Sequence, residues 1–431
     1  MLIKKNKEVI SWSFYDFANQ PFSTVILTFI YGTFFTQYIA KDSEGTFLWT
    51  VGISITAIIA SILSPLLGAY SDSKGFRKQF FVLFTWMCVF FSCMLYFPEL
   101  GDVCLALSLF IAANISFELA TVFYNSYLPD ISTNKNIGKI SGYSWGLGFL
   151  GGLLALFFIL FYFKDLSPTD IRKSNIFVGL WIFIFSIPSF IYLKDVRIKE
   201  KQHTSNPFTS IKETFYDISK YKRIVWFLVA RIFYNDALIT IFALGGIYAS
   251  EALGFTVNEV LILGIALNIT AAIGSFIFGY IEDLIGQRRV INITLVCLIF
   301  ATILAFISPY FNTNSNILTT FNFFILDFTI NISYPKFIFW LSAIIMGLMI
   351  GPNQSCSRSL MSTLIPVEKK SEFFGFFAFT GKATSFLGPL LFGLVAKIYS
   401  HQAGLLVVIA FFLIGLFLFN FTNKEKFFEN K

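Results

Sequence analysis

The amino-acid sequence predicts an all-α membrane protein with twelve transmembrane helices in two related six-helix halves. Three observations predict it. Of 431 residues, 56% are hydrophobic and only 13% charged, with 57 Phe and a positive mean hydropathy; a water-soluble fold of this composition would have no place for its apolar surface. The apolar residues fall into runs of about twenty, enough to cross ~30 Å of hydrocarbon. Finally, Gly68, Asp72, Gly75, Arg77 and Lys78 recur as Gly279, Asp283, Gly286, Arg288 and Arg289, each displaced by 211 positions, and both copies close a hydrophobic run.

In chain order the predicted spans lie near 9–39, 47–70, 79–97, 103–126, 141–163, 174–193, 224–249, 258–281, 289–308, 337–357, 373–397 and 402–421. Basic residues precede the first run, but Asp16 and Asn19 interrupt it and no small-residue cleavage site follows. It therefore reads as a retained helix and not as a secretory leader. Residues 194–223 form the longest charged segment and contain Pro207, which makes them the connector between halves 1–193 and 224–431, partly helical around Ile211 to Lys220. The stretch from Pro309 to Pro335, rich in Asn, Thr and Phe, is expected to be an external connector, either lying on the surface or disordered. Lys and Arg in short loops set the orientation. With the N-terminus inside, the inner loops and tails hold most of them, including Arg77, Lys78, Lys139, Arg288, Arg289, Arg358, Lys369 and Lys370. The outer loops hold only Lys41, Lys164, Arg172, Lys173, Lys336 and Lys397, so both termini are expected in the cytoplasm.

Several function classes are excluded. The net charge of +7 is spread over connectors between apolar runs, without the basic face that nucleic acid requires. Cys88, Cys93, Cys104, Cys297 and Cys356 lie in apolar runs without CxxC or metal spacing, and His203 and His401 are too far apart to pair. No metal or cofactor is expected. No Gly-x4-Gly-Lys-Ser/Thr string occurs, so any energy source must be a gradient.

The repeated loop has a physical logic. Its first glycine lets helices approach closely, its Asp can accept backbone N–H groups at the start of a neighbouring helix, and its second glycine permits the turn that presents the basic pair. Pseudo-symmetry predicts that Asp72 meets the start of the eleventh helix near Ser371 and Glu372, and that Asp283 meets the fifth near Lys139 and Ser141. Two such halves with matched loops are the arrangement of secondary transporters, which rock one half against the other.

The spacing Gly-x3-Asp-x2-Gly-x-Arg-Lys resembles the signature loop of the major facilitator superfamily. Further segments resemble its vacuole-effluxer branch: "WSFYDFANQPF", "FYNSYLPDI", "ISGYSWGLGFLGG", "ARIFYNDALITIFALGGIYA", "SRSLMSTLIP" and "EFFGFFAFTGKATSFLGP". That branch holds the autophagy-related vacuolar amino-acid effluxers of fungi and their bacterial relatives, and the resemblance runs from about Ser11 to Phe421. It implies the major facilitator fold, with helices one, four, seven and ten lining a cavity. The compact connector and the absence of a long N-terminal extension point to a bacterial inner membrane and away from a vacuole.

An ionisable side chain near mid-bilayer must face a cavity or a partner to be tolerated, so each is a candidate for the solute or ion pathway. Asp16 lies in the first helix with Asn19 a turn on, and Pro21, lacking an N–H, should weaken the helix nearby. Glu118 lies in the fourth helix between Asn114 and Asn125, and Arg231 and Asp236 lie in the seventh, flanking Tyr234 and Asn235. Lys382 lies roughly 14 Å into the eleventh, too deep for its stem to reach water easily. It is expected to support the other charges from behind. These groups suit the two ends of a zwitterion, a proton relay, or a structural tie between the halves in which Arg231 pairs with Asp16 or Asp236, and Lys382 with an acid. The expected function is secondary transport of a small polar solute, with amino acids or related metabolites as candidates and the proton as candidate coupling ion. The chain is expected to be a monomer contacting membrane lipid, and not an enzyme. The rival readings are a membrane enzyme acting on lipid and a membrane protein that keeps the fold without transporting.

Overall fold

The computed structural model describes residues 2–40, 45–163, 167–195, 212–214, 216, 218–311, 316–323 and 326–422. The middle of the expected connector, residues 196–211 with Pro207, lies outside the described residues. Lys212–Thr214 and Ile218–Tyr221, from the part expected to be helical, are helical turns.

The first group of spans comprises α1 (Leu2–Pro21), α2 (Gly45–Lys74), α3 (Arg77–Met94), α4 (Val103–Asn125), α5 (Ile137–Tyr162) and α6 (Pro168–Tyr192). The second comprises α7 (Lys222–Leu253), α8 (Val257–Ile285), α9 (Gln287–Ile307), α10 (Tyr334–Leu364), α11 and α12 (His401–Asn420). Among the described residues, 11 helical segments are long and apolar enough to cross a membrane. The twelfth span is α3, only 18 residues long, whose first turn carries Arg77 and Lys78.

Two spans depart from regular α-helix. At Pro21 the missing N–H does not break α1. The chain continues as π-helix over Phe22–Phe29 and again over Phe35–Ile39, and the Phe17 carbonyl that Pro21 cannot serve accepts from Trp181 Nε1 of α6 (3.1 Å). The eleventh span is divided into α11a (Lys370–Lys382) and α11b (Leu387–Ile398) by turn residues 383–386. Between α9 and α10, the connector expected to lie on the surface or to be disordered holds a backbone hairpin, β1 (Asn316–Phe323) antiparallel to β2 (Leu326–Ser333), so of the two readings disorder is the one corrected over these strands; Asn316 lies opposite Ser333. The sequence there is rich in β-branched and aromatic residues, which favour the extended chain.

The buried apolar side chains follow the division of the chain. One cluster, including Phe227, Leu238, Leu295 and Phe412, draws almost wholly on α7 to α12. Two others, around Phe22, Trp49 and Phe110 and around Trp12, Phe81 and Tyr124, belong to α1 to α6. Between the two groups, α5 packs on α8 and α2 on α11a at glycine contacts. A Cβ on Gly142 would stand 2.5 Å from the Ser275 carbonyl, and one on Gly375 would stand 2.5 Å from the Ser64 carbonyl. Ser64 and Ser275 are separated by the same 211 positions as the loops, so the internal repeat extends into the packing that joins the groups.

Candidate functional site

The repeated loops come first, because they fix how the two groups meet. The carboxylate of Asp72 accepts from the backbone N–H groups of Ser371 (3.1 Å) and Glu372 (2.9 Å) in the first turn of α11a. Asp283 accepts from Gly138 (2.8 Å) and Lys139 (3.2 Å) at the start of α5. Each carboxylate thus satisfies two of the four N–H groups a helix start leaves unpaired, and its charge is favoured at that end of the helix dipole. Gly68 and Gly279 make the approach possible. A Cβ on Gly68 would overlap the Ser371 carbonyl, and one on Gly279 would lie 2.9 Å from the Gly138 carbonyl. Gly75 (φ 73°) and Gly286 (φ 89°) turn the chain in the left-handed half of φ space, where other residues are strained. The basic positions diverge. Arg77 binds Asp130 (2.7 Å) and Asp195 (3.1 Å) and lies over the Tyr127 ring, while the backbone N–H of Lys78 donates to Asp195 and Arg289 is exposed. Asp130 also binds Lys370 of α11a.

Deeper in the bundle, Asp16 of α1 pairs with Arg358 of α10 (2.9 Å) and accepts from Ser144 of α5 (2.7 Å). Arg358 is held on every side. Its Nε donates to Ser141 Oγ (3.0 Å), its Nη2 to the Ser141 carbonyl (2.9 Å) and its Nη1 to Asn125 Oδ1 (3.4 Å). The rings of Trp12, Tyr124 and Trp145 surround the guanidinium, with centroids 4.6, 5.7 and 5.6 Å away. A second ion pair joins Glu118 of α4 to Lys382 at the end of α11a (2.7 Å), with the lysine side chain 35% and the glutamate 13% exposed. Lys382 therefore pairs with an acid, one of the two readings of the sequence, and reaches open volume instead of supporting the other charges from behind.

The polar residues of α7 face the broken helix α11. The last four carbonyls of a helix have no partner within it, and Asn235 Nδ2 supplies one to Gly381 O (3.1 Å) while accepting from Gln354 (3.2 Å). Arg231 donates to Phe377 O (2.8 Å) with its guanidinium 3.6 Å from the Phe377 ring centre. Asp236 accepts from Thr384 in the turn itself (3.2 Å), and its Oδ2 is buried without a hydrogen-bond partner. The expected pairing of Arg231 with Asp16 or Asp236 is thus corrected: Asp16 is taken by Arg358, and Arg231 meets the Phe377 carbonyl and ring and Thr380. Tyr234 points into the core of the second group, where its hydroxyl meets Ser357 (2.9 Å), and Asn19 is buried in α1.

A family model described as "Vacuole effluxer Atg22 like" matches residues 39–430. The chain belongs to this family. "Uncharacterized MFS-type transporter YxiO" of Bacillus subtilis is 26% identical, over 99% of this chain and 97% of its own. "Autophagy-related protein 22" of Kluyveromyces lactis is 27% identical over 72% of this chain and 64% of its own length, so the chain spans just under two thirds of that fungal relative. Among solved structures, a bacterial homologue of the iron transporter ferroportin in an outward-facing state aligns with a TM-score of 0.71 at 12% identity, over 98% of this chain and 99% of that one. The major facilitator superfamily transporter FucP in its outward conformation gives 0.72 at 11%, over 97% and 98%. At these identities the likeness carries the fold, which is the major facilitator fold. The protein is a multi-pass membrane transporter of the MFS type.

In this Atg22-like chain the sequence reading missed Arg358, which it placed in an inner loop. The serine-rich stretch Ser355, Ser357, Ser359 and Ser362 lowers the hydropathy that would have carried the tenth span past 357, yet α10 runs to Leu364 and buries Arg358. The signal available was the unusual pairing of a lone arginine with small residues, which allow close helix approach. Glu282 was also missed. It is buried beside the Asp283 loop and accepts from the Cys356 thiol (2.8 Å).

Proposed function

We propose that the chain moves a small polar solute by alternating access, with the loop-bearing end and both termini on the cytoplasmic side of a bacterial inner membrane. Amino acids and related metabolites are the solutes that the sequence's resemblance to the vacuole-effluxer branch favours, and export is the direction that the family's description favours. The observation that carries the reading is the Glu118–Lys382 pair. An acid and a base from opposite groups meet beside a helix break, partly open to solvent, where a zwitterion's ammonium and carboxylate can take the place of each partner. Asp236, with its unpartnered buried oxygen, is the candidate proton carrier. Among the described residues, the polar contacts between the groups run from the two loops to Glu118–Lys382, an arrangement that fits a transporter closed at the loop end.

The test is transport by purified monomeric protein in liposomes, screened against labelled amino acids with and without an imposed pH gradient. Glu118→Gln and Lys382→Met should each lower transport at least tenfold while the protein still inserts, and Asp236→Asn should remove dependence on the gradient. If no zwitterion moves under any gradient, or if both pair variants transport normally, the reading fails.

A further inference from the structure

We infer that the pocket now filled by Arg358 is a binding site for a solute guanidinium, vacated when the loop end opens. The inference rests on the alternating-access reading above. Six residues contact or surround the Arg358 guanidinium: Asp16, Trp12, Asn125, Tyr124, Ser141 and Trp145. They come from α1, α4 and α5. Arg358 comes from α10, on the other side of the division. If the groups separate at the loops, the arginine leaves with its own helix and the six residues stay together.

What remains has the chemistry of a cation receptor. A carboxylate, an amide oxygen, a hydroxyl and a backbone carbonyl are already spaced for the planar donors of a guanidinium, and three aromatic rings line its faces. Losing Arg358 leaves the Asp16 charge unpaired, which is costly in a partly buried site. A small organic cation entering from the loop side would restore that pairing. By binding only the separated state it would hold the loop end open. Arg358 is then an internal competitor for the site, closing it when the solute is absent.

The experiment uses Ser371→Cys, a near-isosteric change at a buried position whose hydroxyl lies 3.5 Å from Ser126 across the division. Alkylation of that cysteine by N-ethylmaleimide, read on its own peptide by mass spectrometry, reports opening of the loop end. Millimolar methylguanidine should raise the labelling rate about threefold or more. Neutral N-methylurea, of the same shape, should not, and Asp16→Asn in the same background should abolish the response. An unchanged rate with methylguanidine, an equal response to N-methylurea, or a response that survives Asp16→Asn overturns the site. Asp72→Asn in the same background separates the two readings. If it raises basal labelling while methylguanidine adds nothing, only the site fails; if the cysteine stays unreactive there too, alternating access fails with it.

Discussion

At the scale of single residues, the buried charges of this chain serve two ends. Arg231 and Asn235 spend their donors on carbonyls around the α11 break, so their first effect is on the shape of that segment. Arg231→Gln should therefore lower stability in detergent by about 1–3 kcal/mol, the cost of leaving buried polar groups unpaired, measured by thermal or denaturant unfolding. Asp236→Asn, which changes a group that already lacks a partner on one oxygen, should leave that transition nearly unmoved. An equal loss in both variants would mean that Asp236 is a structural tie. Asp16, Glu118, Arg231, Asp236 and Lys382 were legible in the sequence because a charge inside an apolar run is conspicuous. Their partners were not legible. Pairing depends on which helix faces which, and periodicity within one helix carries no information about its neighbour; hence the structural-tie reading offered Arg231 the wrong acids, and Arg358 was placed in a loop.

At the scale of helices, the contacts that join the two groups are set by missing side chains. Gly142 and Gly375 each face a backbone carbonyl at 2.5 Å from where a Cβ would lie, and a carbonyl in a helix cannot move aside as a side-chain tip can. Gly375→Ala should push α11a from α2 at a cost of about 1–3 kcal/mol to the closed arrangement. The expected readout is faster alkylation of Ser371→Cys with little change in the helix content seen by circular dichroism. Unchanged alkylation would show that the α2–α11a contact does not control closure. Helix existence was readable from apolar length alone. Helix winding was not: the π segments after Pro21 and the break after Lys382 depend on where neighbouring helices donate to freed carbonyls, which one strand of sequence cannot display.

For the whole molecule, the two loops form a reciprocal clasp. The loop after α2 holds the start of α11a, and the loop after α8 holds the start of α5, so each group grips the other. Asp130 adds an ion pair to Lys370 across the division at the first loop. Asp72→Asn and Asp283→Asn should each open the loop end, and the double variant should exceed either one, as followed by the Ser371→Cys rate; transport should slow in each while the protein remains monodisperse. An unchanged rate in the double variant would show that the clasp does not hold that end closed. The repeat of 211 positions made the clasp itself readable, since equivalent residues in a pseudo-twofold bundle must exchange equivalent partners.

The aromatic surroundings of Arg358 carry an optical consequence. Trp12 keeps its indole N–H on the Tyr124 carbonyl at 2.9 Å, within its own group of helices, whereas the Trp145 ring centre lies 5.6 Å from the guanidinium and its buried Nε1 has no partner. Departure of the arginine would let water reach that one N–H. The emission of Trp145 should then shift to longer wavelength while that of Trp12 changes less, giving the native chain a built-in colour change that follows its conformation without any attached dye.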